Sequence, residues 1–104
     1  MTISVQPAQA ARARPRRKLF QPAELDMAGG RGRVHLLDLS ETGAKLNAVR
    51  APLQGSFVSL SCGELRRSAR VAWVNGRRVG ITFLMPLTTR EVEAVLALGV
   101  SRAA

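Results

Sequence analysis

Residues 64–84 read ELRRSARVAWVNGRRVGITFL, and the pair Asn75-Gly76 near the centre decides how this chain folds. On both sides of the pair apolar and polar residues alternate, which is the period of a half-buried β-strand and not of a helix. Asn-Gly between two such segments is a strong short-range signal for a β-hairpin, because a type I′ turn requires positive φ at both central residues. The alternation sets Val71 and Trp73 on one face of the first arm and Val79, Ile81 and Phe83 on one face of the second. Trp73 and Phe83 are therefore expected in the core.

Four more short apolar runs precede the hairpin: LFQPAELDM (19–27), RVHLLDL (33–39), GAKLNAV (43–49) and SFVSLSC (56–62). Turn residues separate them, with Gly29 and Gly30 after the first, and Gly55 and Gly63 bracketing the last. Pro22 has no N–H to donate, so the first run belongs at a sheet edge or at the start of its own strand. Six strands with connections this short are expected to close into an antiparallel barrel, which removes the exposed edges. After Pro86 the period becomes helical. Thr88 and Glu91 form a capping box, Leu87 and Val92 a hydrophobic staple, and Val92, Val95 and Leu96 an apolar face, with Gly99 expected to end the helix. The expected organisation is a loose tail over 1–11 and one domain over 12–100, made of a basic arm (12–18), a barrel (20–84) and a terminal helix (88–98).

A chain of 104 residues with 46% apolar residues buries one modest core. Sixteen Lys and Arg against seven Asp and Glu give a net charge of +9, so the preferred partner is an anion. Five of the cations fall in RARPRRK (12–18) without an acid. Pro15 disfavours helix at Arg14, and the segment repels itself, so the arm is expected to be extended and flexible until an anion orders it. The single cysteine, Cys62, rules out an intrachain disulfide and reads as a small buried apolar residue. The first eleven residues carry no basic n-region, and Arg16-Arg17 is followed by no apolar stretch; an export signal is not expected, and the chain reads as cytoplasmic, with no membrane insertion.

The residues that carry chemistry are few. His35 is the one histidine and sits within a strand; no nucleophile, base or metal-ligand spacing accompanies it, so no enzyme, no metal site and no cofactor are expected. Two motifs remain. Arg12 and Arg16 form R-x-x-x-R, and Asp38, Ser40 and Gly43 form D-x-S-x-x-G a strand later. By itself DLSETG is a turn, since Ser and Asp bond nearby backbone N–H groups and glycine relaxes the backbone.

The two motifs in this order, followed by GAKL and by WVNGRRVGITFLMPL (73–87), resemble the PilZ domain family over roughly residues 12–98. The resemblance implies a six-stranded antiparallel PilZ-like β-barrel with a C-terminal α-helix. It also implies a noncatalytic bacterial receptor for cyclic di-GMP, with Arg12, Arg16, Asp38, Ser40 and Gly43 as ligand-binding residues. Arg14 and Arg17 crowd the same arm and are candidates to share the work.

The chemistry of such a match is intelligible. A guanidinium donates in parallel to guanine O6 and N7, pairs with phosphate and stacks on a base. An ionised Asp38 accepts from guanine's N–H edge, for which adenine has no equivalent. Strand alternation sets Asp38 and Ser40 on one face, and Gly43 would let a base approach the backbone. The arm would fold over the ligand, and an effector protein would read that ordering. Two alternatives belong to other classes. One is a small basic barrel that binds RNA or single-stranded DNA, disfavoured here because Trp73 and Phe83 are expected inside. The other is a PilZ-like interaction module with Arg66, Arg67, Arg77 and Arg78 as its contact face. The oligomeric state is not legible.

Overall fold

In a computed structural model, residues 16–103 are described, with side chains described up to residue 99. The alternating runs become β1 (Arg17–Met27), β2 (Gly30–Leu39), β3 (Gly43–Ala48), β4 (Phe57–Cys62), β5 (Leu65–Asn75) and β6 (Arg78–Phe83), followed by one helix, α1 (Thr89–Ala103). The strands close into a barrel in the order β1-β2-β3-β6-β5-β4, and every neighbouring pair is antiparallel. Leu25, Leu36, Leu39, Leu46, Leu60, Val71 and Val79 point inward and are fully buried. Each such side chain contributes about 1.5–3 kcal/mol by leaving water, which makes the inside of the barrel the main source of stability.

Pro22 lies within β1, not at its start. It faces His35 of β2 on one side, and the ladder to β4 begins only at Glu24, so the strand is locally an edge where the donor is missing. Arg17 and Lys18 belong to β1, so the barrel begins two residues before the expected first strand. The remainder of the expected tail and arm, residues 1–15, lies outside the described residues. Cys62 is buried, its thiol meeting the Pro22 carbonyl at 3.7 Å.

Helix α1 starts as the capping box requires. The Thr88 N–H donates to Glu91 Oε1 at 2.9 Å and the Glu91 N–H donates to Thr88 Oγ1 at 3.0 Å. Leu87, Val92 and Val95 join the buried cluster, so the helix covers part of the barrel. The expected stop at Gly99 is wrong: the helix runs through it to Ala103. A glycine inside a helix costs about 1 kcal/mol and does not by itself end it.

The hairpin corrects two expectations together. Asn75 pairs with Arg78, so the turn residues are Gly76 and Arg77, and Gly76 takes the left-handed conformation, at φ 63°. The two-residue turn therefore lies one position later than expected, with glycine first and Asn75 in the strand. Val71 then pairs with Ile81 but Trp73 pairs with Gly80, leaving Ala72 as an extra residue in β5. Such a bulge reverses the alternation beyond it. Val71 stays inside, and Trp73 is turned out with 40% of its surface exposed.

Candidate functional site

The reversal at Ala72 completes a row of residues across five strands. Reading around the barrel, Lys18 pairs with Asp38, Asp38 with Lys45, Lys45 with Gly80, and Gly80 with Trp73. A second bulge makes this possible: the β2–β3 register skips Leu37, so Asp38 leaves the inward set and shares the outer face with Lys45. Gly80 is the gap in the row. A Cβ there would collide with the Trp73 indole, which lies on the bare glycine backbone.

Asp38 points outward yet is only 6% exposed. Arg16, immediately before β1, covers it, with Nη1 3.6 Å from Oδ2. That separation is an ion pair and exceeds a hydrogen bond, so the carboxylate keeps acceptor capacity. Lys18 and Lys45 flank it in register and form no ion pair with a described acid. One carboxylate thus stands among three cations, an arrangement that draws in an anion while leaving one acceptor to read it.

Ser40 lies beyond the end of β2, in the turn into β3. Its Oγ accepts from the N–H groups of Thr42 and Gly43, both at 3.2 Å, while its own N–H donates to the Gly43 carbonyl at 2.9 Å. Ser40 therefore folds the loop that borders Asp38. Gly43 faces β6, and a Cβ on it would strike the Ile81 carbonyl oxygen. The glycine is required where β3 meets β6, whatever else it does.

A small cleft of about 110 Å³ sits among Arg16, Ser40, Gly43, Lys45, Trp73 and Gly80. It unites Arg16 with the turn of the second motif. Arg17 is directed elsewhere, its Nη1 3.3 Å from Glu93 on α1, and Arg12 and Arg14 lie outside the described residues. Lys18, Lys45 and Trp73 were missed by sequence reasoning. Gly80, an isolated glycine within an alternating strand, was the legible sign that something approaches the backbone there.

The turn is also tied to the helix. The Leu87 N–H donates to the Glu41 carbonyl at 2.7 Å, and Thr89 Oγ1 donates to Glu41 Oε2 at 2.7 Å. Beside them, Arg67 pairs with Glu91, so of the four arginines considered as a contact face Arg67 is half-buried and engaged, whereas Arg66, Arg77 and Arg78 are exposed. The Thr88 N–H, and after it the Arg67 charge, hold Glu91 below the ordinary carboxylate value against the opposing effect of desolvation.

Among the described residues, no group of three or more His, Cys, Asp and Glu side chains is placed to hold a metal ion, and no helix is long and apolar enough to cross a membrane. His35 stacks on Phe20, with ring centroids 4.4 Å apart.

Compared with curated proteins, the chain matches none. Compared with family models, it matches the PilZ domain over residues 10–98, which takes in the basic arm, the whole barrel and most of the helix. The chain belongs to the PilZ domain family, whose members are generally noncatalytic receptors for cyclic di-GMP.

Proposed function

We propose that this protein binds cyclic di-GMP on the outer face around Asp38 and acts as a noncatalytic receptor. The observation that carries the reading is the outward, nearly buried carboxylate of Asp38, covered by Arg16 and flanked by Lys18 and Lys45. Asp38 accepts the N–H edge of one guanine. Arg16, joined by Arg12 and Arg14 from the preceding segment, takes a second guanine edge or a phosphate. Lys18 and Lys45 add charge for the two phosphates, and Trp73 offers an indole face to a base. Ser40 and Gly43 act chiefly by shaping the turn and the β3–β6 seam.

Arg17 gives this binding a way out of the site. Arg16 leads to Asp38 while its neighbour Arg17 leads to Glu93, and the Glu41 turn holds the segment entering α1. A ligand that orders the arm also fixes where the arm meets the helix, and an effector protein reads that surface.

The second reading, a single-stranded nucleic-acid binder, gains from the correction at Trp73. Trp73, Phe20 and Phe57 are all exposed on a strongly basic barrel, which is the composition of a stacking surface. Calorimetric titration separates the two. Cyclic di-GMP is expected to bind the wild-type chain and to lose at least tenfold in affinity in Asp38→Ala and in Arg16→Ala. An oligonucleotide that binds equally well to Asp38→Ala, with affinity falling steeply as salt rises, would support the second reading and displace the first.

A further inference from the structure

The cleft bordered by Arg16, Lys45 and Trp73, on the same face as Asp38, is too small for the ligand proposed for that face. Sites for drug-sized molecules hold roughly 300–1,000 Å³, and this one holds about 110 Å³. A second groove, of about 460 Å³, adjoins it: Ala72 and Thr82 line both. The barrel register explains the continuity. One row away from Asp38 and Trp73, the outward residues Gly43, Thr82, Arg70 and Phe57 pair in sequence across β3, β6, β5 and β4. Strands lie about 4.8 Å apart, so Arg70 stands about 10 Å around the barrel from Gly43, within reach of a molecule that carries two purines on one small ring.

Arg70 is held ready for a ligand. Its Nε donates to the Gly55 carbonyl at 3.3 Å, and its guanidinium lies 5.6 Å from the centre of the Phe57 ring. Phe57 is 64% exposed and Leu84, at the groove rim, 54%. A guanidinium backed by an aromatic ring on one face presents the other face for stacking and its remaining N–H groups to guanine O6 and N7 or to a phosphate. No acid among the described residues pairs with Arg70.

Resting on the receptor reading above, we infer that the groove at Arg70, whose guanidinium Phe57 backs, is a second subsite, in which the half of the cyclic dinucleotide remote from Asp38 is held.

The test is calorimetric titration of cyclic di-GMP into the full chain, with thermal unfolding as a check on folding. Arg70→Ala is expected to weaken binding at least tenfold at an unchanged melting temperature, and Arg70→Lys, which keeps the charge but loses the planar fork, to recover only part of the loss. Leu84→Glu places a carboxylate at the rim and is expected to weaken binding tenfold independently of Arg70. If Arg70→Ala and Leu84→Glu bind as the wild type does while Asp38→Ala does not bind, the subsite is refuted and the receptor reading stands. If the wild-type chain itself does not bind, both fall.

Discussion

Gly43→Ala separates the two roles a motif glycine can have, and its effect can be worked from the structure. An added Cβ would overlap the Ile81 carbonyl oxygen and come within 3.5 Å and 3.6 Å of the Ile81 carbonyl carbon and Thr82 Cα. All three are backbone atoms of β6, so no side chain can swing away, and the β3–β6 seam must open. Forcing one extra carbon into a packed site costs about 1–3 kcal/mol. In a domain of this size each kcal/mol lowers the melting temperature by about 4–8 °C, so the variant is expected to melt about 4–24 °C below the wild type with no ligand present. Circular dichroism melts of the two proteins suffice. A Gly43→Ala melting temperature within a degree or two of the wild type would refute the account of the seam, and would return Gly43 to a role in ligand approach alone.

Two other predictions follow from the helix start and from the exposed indole. Folding lowers the Glu91 pKa through the Thr88 N–H and then the Arg67 charge. The stabilisation is therefore complete above the ordinary glutamate range and disappears as pH falls through the lowered value; in Glu91→Gln this acid-side loss is expected to be missing from the pH dependence of the melting temperature, and an unaltered profile would contradict it. Trp73 is the one tryptophan in a chain without tyrosine, so its fluorescence reports the cleft directly and is expected to change on adding cyclic di-GMP. Trp73→Ala should weaken binding by about 1–3 kcal/mol, roughly five- to 150-fold, and unchanged affinity would remove the indole from the site.

Much of the fold is legible because closing a small barrel needs only what alternation and turn residues supply. Each inward residue named for the hairpin except Trp73 is buried, and Thr88 and Glu91 start the helix as their spacing requires. What the sequence hides is the bulge. Neither Ala72 nor Leu37 looks different from its neighbours, yet each is the extra residue that resets the faces of its strand. Bulges answer to the curvature of the closed sheet, a tertiary demand that local alternation does not express. Turn chemistry was hidden in the same way: Asn75-Gly76 suits a type I′ turn, but the paired strands set the register at Gly76-Arg77. The site suffered the same gap. Asp38 and Arg16 were recognisable as a motif, whereas Lys18, Lys45 and Trp73 join them only through pairing across β1, β3, β6 and β5. Gly80 carried a visible sign, a bare position in a strand, whose meaning needed the opposing residue to be known.

The central claim is that Asp38 reads a guanine edge, and comparing cyclic di-GMP with cyclic di-AMP on the wild type and on Asp38→Asn tests it most directly. An acceptor matched to two guanine N–H groups should favour the guanine ligand by about 1–3 kcal/mol, roughly five- to 150-fold. In Asp38→Asn, which keeps the size of the side chain but loses the charge and one acceptor, that preference is expected to collapse toward unity. A wild type that binds both ligands alike, or an Asp38→Asn variant that discriminates as well as the wild type, would contradict the account.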